Sequence, residues 1–356
     1  MLKKTLIVLS SLLGIFFMFI FSVIIISGSS NDENLANTKP EDIAYLEKPA
    51  SGRGKILAVV TSTGEIGNTG METGYELTEL SRAYYVFHTN GFEVDIASPN
   101  GGRPPVVIDE DDIGKYDYAF MNDIAAQKKV NNSIPLNEVI PGEYKAVYFV
   151  GGKGAMYDFP NNSSIQKIIR EYNKEGKVIS AICHGPSAFV NVMLSDGTPF
   201  IANKNVSAFT NNEELFLIPN AKEVFPFLLQ DKLTEQGALF EEGSLYLEHL
   251  SQSGSVLTGQ NPWSIWPLAD AIVKELGYSP RKRAKTPEEH SIDILLTLDA
   301  EGLDEAKALT LEAIEISPQA IKKQLITTHA LIATLNMEFK KMGQLIYLLF
   351  FAAAAT

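Results

Sequence analysis

The stretch KVISAICHGPSAFVNV, residues 177–192, contains the only cysteine of the chain and decides the predicted fold. Five of the six residues before Cys183 are apolar or small and show no helical period, which predicts a strand buried on both faces. Gly185 permits a sharp turn, and Pro186 is typical of a first helical turn, so we predict a helix from about Pro186. A thiol at such a helix N-terminus is favoured as the reactive thiolate. The stretch therefore indicates a nucleophile, and the alternative is a small buried core cysteine.

Length and charge limit the classes of function. The 356 residues allow one large or two ordinary domains. A net charge of −13 without any basic segment argues against a nucleic-acid partner. A single cysteine excludes an intrachain disulfide framework and a cysteine-rich metal site. No metal site is expected from the scattered histidines, which are His88, His184, His249, His290 and His329.

The N-terminal segment Met1–Ser30 has Lys3 and Lys4 followed by an apolar run of about 22 residues, long enough to span a bilayer. We predict an uncleaved transmembrane anchor with a cytoplasmic N-terminus and the catalytic domain outside, in the periplasm or extracellular space. A cleaved signal peptide is the alternative. Residues 31–54 are polar with scattered proline and glycine, which predicts a linker.

From Lys55 onward, strand-like and helix-like segments alternate, which is typical of a parallel α/β sheet. We predict an α/β domain over residues 55–279 and a helical extension over residues 280–356. The extension carries an apolar stripe at helical spacing from Leu303 to Ile316, so it must pack against another surface. Loops at the carboxyl ends of the strands bring Gly151 and Cys183 to one sheet edge, where such folds build their sites.

Residues 55–278 resemble the ThiJ/PfpI superfamily, which has the class I glutamine amidotransferase-like fold, and within it the glyoxalase-III-like heat-shock chaperones. The resemblance lies in the order and spacing of five segments, TGYELTELSRAYYVFHTNGFEVDIASPNGG, FVGGKGAMYDFP, AICHGPSAFVNV, VSAFTNNEE and LTGQNPWSIWPLADAI. It implies a flavodoxin-like three-layer α/β/α sandwich with a mostly parallel sheet and a strand–nucleophile elbow–helix unit. It also implies that the domain pairs into homodimers.

The resemblance assigns catalytic roles residue by residue. Cys183 is the nucleophile, Glu79 is the carboxyl that faces its sulfur, and His184 is a general acid or base. Glu213, or with less support Glu214, orients His184. The backbone N–H groups of Gly152 and His184 supply oxyanion donors. Without the resemblance, composition favours Glu79 as an exposed helix carboxylate. His184 is then equally well interpreted as a capping or merely polar histidine.

Two positions depart from the family pattern. Arg82-Ala83 stands where the glyoxalase-like members have His-Pro, and Lys153 stands where they have histidine between two glycines. Both departures remove imidazoles from the expected pocket rim.

The resemblance implies a cysteine-dependent enzyme that acts on a small reactive carbonyl such as methylglyoxal and needs no cofactor. Two alternatives from the same residues remain open. One is a cysteine hydrolase, a peptidase or amidase that forms an acyl-thioester. The other is a redox-sensing holdase chaperone in which Cys183 is oxidised to a sulfinate.

Overall fold

A seven-stranded sheet organises residues 35–283 of the computed structural model, which describes residues 35–110 and 112–355. The strands are β1 Lys55–Val59, β2 Tyr75–Glu76, β3 Glu93–Ser98, β4 Val106–Val107, β5 Ile134–Pro135, β6 Tyr144–Phe149, β7 Val178–Ile182, β8 Asn205–Val206, β9 Leu239–Phe240, β10 Leu250–Ser253 and β11 Val256–Gly259. Seven of these eleven strands form the large sheet, in the order β10-β11-β7-β6-β1-β3-β5. Every neighbouring pair in it is parallel except β10–β11. The predicted, mostly parallel sheet is confirmed.

Alternate residues of the buried strands point to opposite faces of the sheet, so both faces present apolar side chains. Helices cover these side chains on each face. Phe149 of β6 belongs to an apolar cluster with Ile165 and Ile169 on one face, whereas Tyr148 packs against Phe87 on the other. The helices of this unit are α1 Leu77–Thr89, α2 Lys115–Asn122, α3 Ile124–Val130, α4 Ala155–Asp158, α5 Ser163–Glu175, α6 Asn211–Leu217, α7 Ala221–Val224, α8 Leu229–Glu235 and α9 Ile265–Glu275. Short 3₁₀ turns lie at Leu35–Asn37, Pro40–Asp42, Ala44–Leu46, Leu136–Glu138, Pro141–Glu143, Gly185–Phe189 and Pro262–Ser264.

The register between β6 and β7 sets the position of the cysteine. Phe149 pairs with Ala181 at the carboxyl ends of these two strands. Two residues further along each chain, Gly151 and Cys183 therefore come into contact at the sheet edge. This is the edge at which parallel α/β sheets place their sites.

The segment after Cys183 differs from the prediction. Instead of a helix from Pro186, the chain makes one 3₁₀ turn at Gly185–Phe189 and becomes extended at Val190. The short turn buries Phe189 in the core between Phe149 and Phe200. Since this turn has only five residues, it contributes little of the helix dipole that the sequence suggested.

The predicted linker is not a free tether where the structure describes it. Within residues 35–54, Tyr45 and Leu46 are buried. The side-chain amide of Asn122 donates hydrogen bonds to the carbonyl oxygens of Ala36 and Thr38, at 2.9 Å each. These residues pack on the α/β unit because they bring their own apolar side chains.

The prediction of a transmembrane helix, and of a membrane location with the catalytic domain outside, is corrected. Across residues 35–110 and 112–355, no helix combines the length and the apolarity that a membrane crossing requires. The segment 1–30, on which the prediction rested, lies outside the described residues. The residues that the structure describes therefore form an α/β unit and a helical unit.

Residues 284–355 form a second compact unit, which begins four residues after the predicted boundary at residue 280. Its helices are α10 Pro287–Ala300, α11 Leu303–Ile316, α12 Lys323–Leu335 and α13 Phe339–Ala355. Thr286 caps α10 by accepting a hydrogen bond from the Glu289 N–H at 3.2 Å. The apolar stripe predicted on α11 is buried at Ala306 and Ala313 but not at Ile316, which is 72% exposed.

Candidate active site

Cys183 occupies a strained backbone position directly after β7. Its φ of 57° lies in the left-handed region, which costs a residue other than glycine about 1–3 kcal/mol. Two hydrogen bonds hold the conformation. The Cys183 N–H donates to the Gly259 carbonyl, and the Cys183 carbonyl accepts from the Phe209 N–H, both at 2.9 Å. The sulfur is thus fixed at the sheet edge by neighbours on both sides, as in a nucleophile elbow.

Gly151 lets the chain pass against the cysteine. A Cβ atom there would lie 2.6 Å from Glu79 Oε2, 2.7 Å from the Ile182 carbonyl oxygen and 2.8 Å from Cys183 Cβ. Gly152 is equally constrained, because its φ is 101° and a Cβ would lie 2.2 Å from the Gly74 carbonyl oxygen. The glycines predicted at this turn are therefore required by close packing around the sulfur.

Glu79 lies in the first turn of α1 and is completely buried. The Gly151 N–H donates to its Oε2 at 2.7 Å. Oε1 makes no hydrogen bond to a nitrogen or oxygen of the described residues, which leaves it for the Cys183 thiol, with which the carboxyl interacts. Burial, and after it the neighbouring Glu76 carboxylate, raise the pKa of Glu79 well above its ordinary value. Burial therefore favours the protonated form of this carboxyl.

His184 connects the thiol to a second carboxyl group. Its Nδ1 lies 3.2 Å from Cys183 Sγ, and its Nε2 lies 2.6 Å from Glu214 Oε2. The ring is buried and packs against Phe209, with 4.7 Å between ring centroids. If the ionised Glu214 accepts the proton on Nε2, Nδ1 is the nitrogen left to accept from the thiol. The three side chains thus form a Cys–His–Glu relay.

Glu213 does not take part in this relay: of the two glutamates that the sequence offered to orient His184, the structure brings Glu214 to the ring and not the preferred Glu213. Its carboxylate accepts hydrogen bonds from the N–H and the hydroxyl of Thr210, both at 3.0 Å. The Tyr246 N–H and the amides of Gln260 and Asn261 also donate to it. Neighbouring residues on a helix point about 100° apart, so only Glu214 reaches His184. Glu213 instead joins the start of α6 to the loops around it.

The charge on Glu214 is stabilised by the histidine. Burial alone would raise the pKa of Glu214, but the charge and the hydrogen bond of His184 outweigh it and lower the pKa below its ordinary value. Glu214 is therefore ionised at neutral pH and can stabilise a protonated His184.

The thiol itself is not acidic in its resting state. Burial, and after it the charge of Glu79, raise the pKa of Cys183 well above its ordinary value. The thiolate that the sequence suggested is therefore disfavoured, because the residue is buried and lacks a long helix behind it. A buried thiol of this kind needs a base to become a nucleophile, and His184 is in position to accept its proton.

The two backbone groups predicted as oxyanion donors are free to act as such. Neither the Gly152 N–H nor the His184 N–H donates a hydrogen bond to any residue that the structure describes. Both belong to residues that adjoin the sulfur along the chain or across the sheet. Their role as donors remains a prediction.

Two further ionisable residues adjoin the site. Lys153 lies in the turn after β6, and Glu76 lies in the short strand β2 before α1. Burial and the neighbouring Asp112 carboxylate raise the pKa of Glu76 to about 8. The sequence marked Lys153 only as a departure from the family pattern, and it gave no signal for Glu76.

Arg82, the other departure, is not an open rim residue. It is buried, and its Nη2 lies 3.2 Å from Asp117 Oδ2. Its guanidinium also donates to the Asp112 carbonyl oxygen at 2.7 Å. Arg82 therefore joins α1 to the following loop and helix. Among the described residues, no group of His, Cys, Asp and Glu side chains is arranged to hold a metal ion.

Comparison with known proteins shows which family and which enzymes the chain is similar to. A family model described as the DJ-1/PfpI family matches residues 70–214, a range that includes Glu79, Lys153, Cys183 and Glu214. A glutathione-independent glyoxalase from Schizosaccharomyces pombe is 29% identical over 237 residues, which cover 64% of this chain and 99% of the relative. Glyoxalase 3 from Candida albicans is 27% identical over 235 residues, which cover 62% and 97%.

The chain is also similar to a solved structure. The Rapid Encystment Protein 24 KDa from Francisella tularensis is 35% identical and superposes with a TM-score of 0.60, over 63% of this chain and 100% of that chain. The likeness therefore covers the α/β unit.

Proposed function

Because the chain belongs to the DJ-1/PfpI family, we propose that it is a glyoxalase III-like enzyme that converts methylglyoxal or glyoxal into a hydroxy acid, with Cys183 as the nucleophile. The sequence predicted this class of enzyme, and relatives named glutathione-independent glyoxalase or glyoxalase 3 confirm that prediction. The observation that carries the proposal for this chain is the relay from Cys183 Sγ through His184 to Glu214, at 3.2 and 2.6 Å. No organic cofactor is needed for the steps that follow.

The first step is addition of the thiol to the aldehyde. The Cys183 S–H proton passes to His184 Nδ1 as the sulfur forms a bond to the aldehyde carbon. The carbonyl oxygen takes the electron pair of its π bond and is stabilised by the N–H groups of Gly152 and His184. Protonation of this oxygen gives a hemithioacetal. Glu214 supports the step because its charge stabilises the protonated His184.

The second step moves hydrogen between the two carbons of the substrate. A base removes the C–H proton of the hemithioacetal carbon, and the resulting enediol is reprotonated on the neighbouring carbon. We assign this shuttle to His184, since burial favours the protonated form of Glu79. The product is a thioester of Cys183. Water then cleaves the thioester, so methylglyoxal plus water yields lactate and the free thiol.

Glu79 supports the reaction as an acid rather than as a base. A protonated carboxyl beside the sulfur can donate a hydrogen bond to the thiolate that forms when the thioester is cleaved. Such a bond to a charged group contributes about 1.5–3 kcal/mol.

The burial of the site favours a small substrate over a peptide. Cys183 is 4% exposed and His184 1% exposed, so little of either side chain is accessible to an extended peptide chain. A two- or three-carbon aldehyde needs far less space. This exposure supports the glyoxalase over the peptidase or amidase.

The experiment is a substrate panel with the purified chain and its Cys183→Ser variant. Methylglyoxal, glyoxal, a peptide and a glutaminyl amide are tested without glutathione. We expect turnover of the two dicarbonyls by the wild type alone. Hydrolysis of the peptide or the amide would contradict the proposal and support the hydrolase. Protection of an aggregating client protein by both forms, without turnover, would instead support the holdase.

A further inference from the structure

Lys153 carries a cation that none of the described residues pairs. It belongs to the turn in which Gly151 donates to Glu79 and Gly152 packs against the backbone of β2. Its side chain is only partly exposed, yet its ammonium group makes no hydrogen bond or ion pair with the residues that the structure describes. Lys129, by contrast, is bound to Asp95 at 3.1 Å.

The surroundings of Lys153 are the acidic groups of the candidate active site. Its charge acts on Glu76, Glu79 and Glu214 and on the Cys183 thiol, and it lowers the pKa of each of them. The turn that carries Lys153 lies against these groups, because the Glu76 N–H donates to the Gly151 carbonyl oxygen at 3.2 Å and a Cβ atom on Gly152 would lie 2.9 Å from the Glu76 nitrogen. The charge of Lys153 therefore acts on the reacting sulfur.

A second polar group close to the turn of Lys153 also lacks a hydrogen-bond partner among the described residues. Glu76 Oε1 is buried and has no hydrogen-bond partner among the described residues. Buried polar atoms are almost always paired in native proteins, so an unpaired one calls for a ligand or a functional reason. An unpaired cation and an unpaired carboxyl oxygen next to a nucleophile together form a polar subsite.

We propose that Lys153 is the residue that selects 2-oxoaldehydes, because its ammonium group binds the second oxygen of the substrate while the first occupies the oxyanion donors. Glu76, whose buried Oε1 is also without a hydrogen-bond partner among the described residues, lines the same subsite. This inference rests on the proposed function, since it names the subsite of the same reaction.

The chemistry of the substrate explains the need for such a group. A 2-oxoaldehyde has two adjacent carbonyl oxygens, and both carry negative charge during the passage through the enediol. The backbone donors serve the oxygen of the carbon that is bonded to sulfur. A cation at the other oxygen stabilises the enediolate, in which that oxygen carries negative charge.

The test measures the alkylation rate of Cys183 with iodoacetate and with iodoacetamide. Iodoacetate carries a carboxylate where iodoacetamide carries a neutral amide. The ratio of their alkylation rates therefore reports a cation near the sulfur. A change in the thiol pKa alters both rates equally and leaves the ratio unchanged. The proteins are the full-length wild type, Lys153→Met, Lys153→Arg and Lys174→Met, the last altering an exposed lysine on α5 as the matched control.

We expect Lys153→Met to lower the iodoacetate-to-iodoacetamide ratio by about tenfold or more, the loss of one charge-assisted hydrogen bond. Lys153→Arg should keep most of the ratio, and Lys174→Met should equal the wild type. In turnover of methylglyoxal, Lys153→Met should lower kcat/KM by a similar factor, and Lys153→Arg should restore part of it. An unchanged ratio in folded Lys153→Met would overturn the inference.

The two readouts separate this inference from the proposed function. If the wild type does not turn over methylglyoxal, the proposed function fails, while the alkylation ratio still reports whether Lys153 binds an anion beside the sulfur. If the wild type turns over methylglyoxal and Lys153→Met does so equally well, the proposed function stands and the role of Lys153 is refuted. A melting temperature measured for every variant shows that the folded proteins are compared.

Discussion

His184 Nε2 lies 2.6 Å from Glu214 Oε2, whereas Glu213, one residue earlier, accepts all its hydrogen bonds from the loops around α6. Two adjacent glutamates on one helix thus have separate tasks. One stabilises the charge on a catalytic histidine, and the other holds the segment that presents it.

The first prediction separates these tasks. Glu214→Gln keeps the size of the side chain but removes the charge that stabilises a protonated His184, so kcat should fall about tenfold to a hundredfold with little change in melting temperature. Glu213→Gln should instead lower the melting temperature, because it disturbs a buried network of hydrogen bonds. Steady-state kinetics and thermal unfolding of both variants check this. Full activity in Glu214→Gln would refute the relay.

The second prediction concerns Gly151. In Gly151→Ala, the added methyl group would meet Glu79, Ile182 and Cys183 within 2.8 Å, so the turn must shift. We expect a loss of about 1–3 kcal/mol of unfolding free energy and of most activity. Gly142→Ala is the control, since a Cβ there has nothing within 4 Å. Denaturant unfolding measures both, and an active, stable Gly151→Ala enzyme would contradict the described packing.

The third prediction is the pH dependence of thiol alkylation. Burial, and after it the charge of Glu79, raise the pKa of Cys183, so the midpoint of its alkylation rate should lie above the roughly 8.5 of free cysteine. Glu79→Gln removes the charge that Glu79 would acquire at high pH, and the midpoint should move down. Iodoacetamide labelling followed by mass spectrometry measures it. A wild-type midpoint well below that of free cysteine would show that the site holds a resting thiolate instead.

The fourth prediction uses the raised pKa of Glu76. This carboxyl titrates near 4.5 in the unfolded chain and near about 8 in the folded protein. Between these values only the unfolded chain releases the proton, so stability that is present below about pH 4.5 is lost as the pH rises towards 8. At about 1.4 kcal/mol per pKa unit, the loss is on the order of a few kcal/mol.

The stability of Glu76→Gln should therefore depend less on pH than that of the wild type. Between pH 5 and pH 8, its melting temperature in scanning fluorimetry should rise relative to the wild type. Glu138→Gln alters an exposed glutamate of the same unit and is the control. A constant difference across this range would mean that Glu76 ionises normally.

Much of this site was predictable from sequence because the signals are local. The apolar run before Cys183 predicted β7, and the spacing of the motifs identified the fold. The capping-box pattern of Thr210 and Glu213 is also local, since a threonine followed three residues later by glutamate predicts reciprocal hydrogen bonds at a helix start. That pattern assigns Glu213 to the cap and leaves Glu214 for His184, so the error was avoidable.

Other features depend on tertiary packing, which the sequence does not show. The turn at Gly185–Phe189 stays short because Phe189 enters the core, and the thiol pKa rises because the whole elbow is buried. Whether Lys153 and Glu76 find partners depends on the residues that the fold packs around them. The sequence on either side of each residue does not show this. Residues 35–54 look like a linker in composition, although a few apolar side chains suffice to dock them.

Lactate formation from methylglyoxal in the absence of glutathione tests the central claim most directly. Purified wild-type protein and its Cys183→Ser variant are incubated with methylglyoxal, and lactate is quantified against methylglyoxal consumed. The account predicts one lactate per methylglyoxal with the wild type and only the spontaneous background with Cys183→Ser. Equal lactate formation by the two proteins, or consumption of methylglyoxal by the wild type without lactate, would contradict it.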